Sequence, residues 1–138
     1  MSAHFLLDTC AAIYIGDNEW LKPQAIEAID TSSDQGRPVY LSPITAWEIG
    51  LLAKKGRFKS SLTPRRWLDR LLSFREIALC ELTSEVLLES SFLPGDLHRD
   101  PADRIIAATA REYGYTVITR DRALLDYAAA GHLRALEC

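Results

Sequence analysis

A chain of 138 residues with 48% hydrophobic side chains has the length of one ordinary domain and enough apolar surface to fold, which excludes a disordered segment. The apolar stretch before Asp8 is too short for a signal peptide and no run approaches the roughly 20 residues of a membrane span, so a cytoplasmic protein with no membrane partner is expected. A net charge of −3 does not suggest a general nucleic-acid binder, and Cys10, Cys80 and Cys138 are too widely spaced for a disulfide framework or a structural zinc site.

In chain order, residues 4–7 are a short apolar run ending in an acid and read as a buried strand, followed by a helix over 9–16. Residues 20–29 carry Leu21, Ala25, Ile26 and Ile29 at helical spacing; Gly36 and Pro38 break the pattern, and 39–41 form a second strand. Ser42-Pro43 is a helix start, with Gly56 as the stop. Thr63-Pro64 opens a helix to about residue 75, whose Trp67, Leu68, Leu71 and Leu72 form an apolar face that suits either the core or a protein partner. Residues 77–82 read as a strand, 84–92 as a helix behind Thr83, and 93–99 as a loop. Asp100-Pro101 starts a helix ending near Gly114. The β-branched 116–119 form a strand, 123–130 a short helix, and 133–136 a last strand. This alternation predicts a single α/β domain over 1–138 with a mostly parallel sheet.

Ligands of an open parallel sheet bind beyond the C-terminal ends of its strands. Asp8 follows the first strand, Asp121 lies two residues past Thr119, Asp103 is in the first turn of its helix, and Glu48 sits on the helix after the second strand. All four can reach one edge. Glu48 falls inside the apolar stripe of Ile44, Trp47, Leu51 and Leu52, where a carboxylate is costly unless a cation or donors satisfy it; a buried arginine partner is the alternative. Asp103 stands where a capping-box acid would, and Asp8 and Asp121 also suit helix caps. Four oxygen donors and scattered histidines (His4, His98, His132) favour Mg2+ or Mn2+ over zinc, with His98 read as a loop residue. Cys10 and Cys80 are expected to be buried. Thr9 and Thr119 are placed to position water or phosphate, and Arg99, Arg104, Arg120 and Arg122 to hold backbone phosphates. Residues 54–75 hold eight basic side chains against Asp69, a net +7 that leaves −10 for the rest; this is either a solvated helix face or a surface for a polyanion or an acidic protein partner.

These residues, in the order Leu6-Leu7-Asp8-Thr9, Trp47-Glu48-Ile49, His98-Arg99-Asp100-Pro101-Ala102-Asp103-Arg104 and Thr119-Arg120-Asp121, resemble the PIN-domain ribonucleases, in particular the VapC-type toxins of toxin–antitoxin pairs. The resemblance covers essentially the whole chain. It implies a three-layer α/β/α sandwich, Mg2+- or Mn2+-dependent cleavage of RNA, a homodimer and a cognate antitoxin. It implies Asp8, Glu48, Asp103 and Asp121 as the metal-holding acids, with Asp100 shaping loop and cap. Cys10 and Ala102 depart from the residues usual in that family. A receiver domain would need an acidic pair after the first strand and a late lysine, and neither is present. An aspartyl phosphatase would want an acid where Cys10 stands, and the chain is too short for a kinase. A non-catalytic RNA- or protein-binding module on the same fold is the remaining alternative.

Overall fold

The structure, a computed structural model, describes residues 3–138, so two positions of the expected 1–138 domain lie outside the described residues. Five strands, β1 (Phe5–Leu7), β2 (Val39–Leu41), β3 (Ile77–Leu79), β4 (Thr116–Thr119) and β5 (Arg134–Glu137), form one sheet in the order β3-β2-β1-β4-β5. Every pairing is parallel. Seven helices complete the described chain: α1 (Thr9–Gly16), α2 (Pro23–Asp34), α3 (Ile44–Lys54), α4 (Pro64–Leu72), α5 (Ser84–Glu89), α6 (Pro101–Tyr113) and α7 (Arg122–Ala129). None is long and apolar enough to cross a membrane.

Parallel strands need crossovers, and the crossover helices cover both faces of the sheet. Consecutive strand residues therefore bury in opposite directions. Leu7 and Ile118 pack with Ala11, Ala25, Trp67 and Leu71 from α1, α2 and α4. Leu6 and Val117 pack with Ile106, Ala110, Leu124 and Tyr127 from α6 and α7. Three layers result, α/β/α. Chain order runs outward from β1 on both sides, so the direction of winding reverses between β1 and β4. Such a reversal leaves a crevice at the C-terminal strand ends, where Asp8 and Asp121 stand.

Helix starts follow the capping chemistry. Asp8, Thr63, Thr83, Asp100 and Asp121 each accept a backbone N–H of the following first turn. Proline stands in the first turn of α2, α4 and α6. Gly114 ends α6 at φ 72°, a left-handed conformation that glycine adopts without strain.

Several expectations are corrected. The helix expected from Trp20 begins at Pro23, because the residue before a proline is held extended, here Lys22 at ψ 146°; Trp20 is left 87% exposed. The helix expected to residue 75 ends at Leu72, where Ser73 Oγ donates to the Arg70 carbonyl and closes the turn. The strand over 77–82 stops at Leu79 and the helix over 84–92 at Glu89. The apolar face of α4 is core: Trp67 and Leu71 are buried and Leu68 and Leu72 pack beside them. Trp67 packs against Gly16, where an added Cβ would sit 2.5 Å from the indole ring. Cys80 is buried, as expected, whereas Cys10 is exposed.

Candidate metal centre

Each acid is brought to the crevice by a local device. Asp8 is the first residue past β1, and its backbone N–H continues the ladder to the Ile118 carbonyl at 3.1 Å. Its side chain is buried, with Oδ1 capping α1 through the Ala11 N–H at 2.8 Å. Oδ2 accepts the Thr119 hydroxyl at 2.5 Å. That hydroxyl also accepts the Asp121 N–H at 2.9 Å, so one side chain at the end of β4 ties Asp8 to the backbone carrying Asp121. Asp121 Oδ2 caps α7 through the Leu124 N–H at 2.9 Å. Both acids are thus caps and members of the cluster at once.

Glu48 is half-buried on α3, where it accepts the Thr9 hydroxyl. The Thr45 hydroxyl lies 3.0 Å from Thr9 Oγ1. Since Thr9 spends its one proton on Glu48, Thr45 is the donor of that pair. Of the stripe of Ile44, Trp47, Leu51 and Leu52, which the sequence suggested as the core face of α3, Ile44 packs against the core while the other three do not; Thr45 and Ile49 are the buried positions. Trp47, Leu51 and Leu52 line the crevice alongside Glu48. Thr9 and Thr119, expected to position water or phosphate, are engaged in holding acids.

Asp103 is not a capping-box acid. Asp100 Oδ1 caps α6 by accepting the N–H groups of Ala102 and Asp103 at 2.9 and 3.3 Å. The Asp100 N–H, which a capping-box acid would accept, goes to His98 Nδ1 at 3.1 Å. The Asp103 carboxylate is released toward the crevice, 3.0 Å from His98 Nε2, and Asp121 Oδ2 lies 3.9 Å from the same nitrogen. His98 is therefore part of the site, a correction to its reading as a loop residue. The signal for it was its place two residues before the helix cap.

All four acids, with Asp100, line one cavity of about 480 Å³. Among the described residues no lysine or arginine forms an ion pair with Asp8, Glu48 or Asp103. Burial, and then the neighbouring carboxylates, raise the Asp103 carboxyl from 3.8 to about 8. Burial lifts Asp8 to about 6 against the hydrogen bonds from Thr119 and Ala11, and raises Glu48 as well. Cys10 is exposed as a residue, but partial desolvation of its thiol on the cavity wall, and then the same acids, push that thiol up to about 12. Buried and half-buried carboxylates that repel one another, with no lysine or arginine between them, suit a hard divalent ion.

The arginines divide. Arg104 donates to the carbonyls of Ser90 and Leu97, both at 2.9 Å, and Arg120 to those of Cys138 and Trp20, both at 2.6 Å, while stacking over Tyr14. Both guanidinium groups are engaged in holding the fold together. Arg122 is exposed beside Asp126 and Glu137, and Arg99 is exposed. The basic groups lining the crevice are Lys55 and Arg57, from the +7 segment.

Comparison with known proteins gives a consistent picture. Residues 5–130 match the PIN domain family. Over 120 residues the chain is 29% identical to Ribonuclease VapC22 of Mycobacterium tuberculosis, covering 86% of this chain and 88% of that one. Among solved structures, a chain of VapBC2 from Rickettsia felis, bound to a DNA fragment from its promoter, superposes with a TM-score of 0.68 at 16% identity, covering 96% of this chain and 97% of that one. A chain of DNA-bound VapBC from Salmonella typhimurium gives 0.66 at 24% identity over 98% of both. One from a Klebsiella pneumoniae toxin–antitoxin complex gives 0.60 at 23%, covering 98% and 96%.

Proposed function

The chain belongs to the PIN domain family, and on that premise we propose that it is a divalent-metal-dependent endoribonuclease, the toxin of a toxin–antitoxin pair. The observation that carries this reading is the convergence of Asp8, Glu48, Asp103 and Asp121, from four separate elements, on one cavity at the winding reversal of a parallel sheet. The similarity to a protein named a ribonuclease supplies the substrate class.

These acids would hold Mg2+ or Mn2+, which when bound would supply Lewis acidity and an activated water for hydrolysis of an RNA phosphodiester. Asp8 and Asp103 would be the principal ligands, with Glu48 from α3 and Asp121 completing the set. Thr119 and Thr9 fix the orientation of Asp8 and Glu48, so that these carboxylates need not reorganise. Asp100 shapes the cap of α6. Lys55 and Arg57, at the cavity wall, attract and orient the RNA backbone, with exposed Arg99 and Arg122 as outer contacts.

The partners are RNA, a cognate antitoxin and a second copy of the chain. Exposed apolar side chains support protein partners: Trp20 at 87%, Phe92 at 77% and Leu88 at 65%. The described elements share one sheet, which supports residues 1–138 as a single domain. The test is to incubate the pure protein with total cellular RNA plus Mg2+ and to map new ends. Cleavage that needs Mg2+, stops with EDTA and is lost in Asp8→Asn supports the reading. RNA binding without cleavage under any divalent ion would instead favour a non-catalytic binding module.

A further inference from the structure

The side chain that meets the acids without being one of them is His98. Its two ring nitrogens have different partners: Nδ1 accepts the Asp100 N–H at 3.1 Å, and Nε2 lies 3.0 Å from Asp103 Oδ2. A nitrogen that accepts an N–H offers its lone pair, so Nδ1 carries no proton and the neutral ring holds its proton on Nε2. Nε2 is then a donor facing a carboxylate oxygen.

The ligand atoms of His98, Asp103 and Asp121 lie within 4.8 Å of one another, a spacing that suits three ligands of one ion. The hydrogen bonds argue against counting His98 among them. A cation on Nε2 needs that nitrogen bare, which moves the ring proton to Nδ1. There it would face the Asp100 N–H, donor against donor, at the entrance to α6.

Asp103 needs a partner of this kind. The first turn of α6 leaves its carboxylate free, because Asp100 takes the N–H groups and His98 Nδ1 takes the one a capping-box acid would accept. His98 is itself held from behind, since Arg104 anchors the adjacent Leu97 carbonyl at 2.9 Å. We infer that His98 is a positioning residue, which donates from Nε2 to Asp103 Oδ2 and aims that carboxylate at the cation without ligating it. This inverts the common arrangement, in which a carboxylate orients a metal-bound histidine. The inference rests on the reading of Asp103 as a metal ligand.

Two variants separate the ring's two bonds. Asparagine places its carbonyl where Nδ1 stands and can accept the Asp100 N–H, but it cannot reach Asp103. Glutamine places its amide N–H near Nε2 and can reach Asp103. Mn2+ affinity, measured by calorimetry, is expected to fall about tenfold in His98→Asn and to stay within about threefold of the parent in His98→Gln. Asp103→Asn must weaken binding as well, and His98→Asn must add nothing in its background. In parallel, 15N imidazole spectra with saturating Mg2+ are expected to show a bare Nδ1 and a protonated Nε2 for the resonance that disappears in His98→Asn. A protonated Nδ1 with a cation-shifted Nε2 would make His98 a ligand and overturn the inference. Unchanged affinity in His98→Asn alongside weakened Asp103→Asn would overturn it alone, whereas unchanged affinity in Asp103→Asn would overturn the site reading and the inference with it.

Discussion

Replacing Asp103 with asparagine changes charge with almost no change in shape. In the metal-free fold the Asp103 carboxyl is raised from 3.8 to about 8, by burial first and by Asp100, Asp121, Glu48 and Asp8 after it. The folded chain therefore holds the proton more tightly than the unfolded chain does. Below pH 4 both states are protonated and the site costs nothing; as pH rises from 4 to 8 the unfolded state ionises first and stability falls. Each tenfold gain in proton affinity is worth about 1.4 kcal/mol, and the cluster is partly wet and shares its repulsion, so the loss by pH 8 is on the order of 3 kcal/mol. Asparagine does not ionise, and its carbonyl can still accept from His98. In EDTA, Asp103→Asn is expected to match the parent near pH 4 and to exceed it near pH 8. At roughly 2–4 °C per kcal/mol for a chain of this size, the melting temperature should rise by about 6–12 °C. Mg2+ should stabilise the parent and leave the variant nearly unmoved. Urea or thermal unfolding across this pH range, with and without Mg2+, reads all of this. A variant less stable by about 1 kcal/mol at pH 8, still active on RNA, would be the behaviour of a lost helix cap and would refute the reasoning.

Further outcomes follow from single contacts. Thr119→Val removes the hydroxyl between buried Asp8 and the Asp121 backbone, so stability should drop by about 1–3 kcal/mol and Mg2+ affinity with it; unchanged calorimetric binding would show that Thr119 holds nothing the cation needs. Lys55→Gln with Arg57→Gln should raise KM for RNA and flatten the salt dependence by about 1.4 units while kcat holds; the salt slope of binding checks it. Gly16→Ala should cost about 1–3 kcal/mol in chemical denaturation, because the new methyl meets the Trp67 ring at 2.5 Å.

Much of the fold and the site is legible in the sequence. Caps and prolines announce themselves locally, so α4 and α6 begin where Thr63-Pro64 and Asp100-Pro101 place them. Consecutive buried Leu6 and Leu7 require a sheet covered on both faces. Asp8 and Asp121 are legible because a strand end is a position that sequence can mark. What escapes depends on which way a side chain turns. Helical periodicity finds a stripe on α3 but does not tell a core from a crevice, so it assigns Trp47 and Leu51 to the core although they line the cavity. Arg104 and Arg120 stand beside acids in sequence, yet their guanidinium groups turn back to carbonyls of residues distant in sequence. His98 escapes because its role depends on which capping bond Asp100 makes, a choice between Asp103 and His98 that spacing leaves open.

The central claim is that Asp8, Glu48, Asp103 and Asp121 hold divalent cations together. Equilibrium Mn2+ binding, followed by the loss of the free-ion paramagnetic signal at neutral pH, tests it directly in the parent and in Asp8→Asn, Glu48→Gln, Asp103→Asn and Asp121→Asn. The account predicts that each change weakens the same binding event, with Asp8 and Asp103 costing most and Asp121 least. Binding that survives Asp8→Asn and Asp103→Asn with unchanged affinity would contradict it.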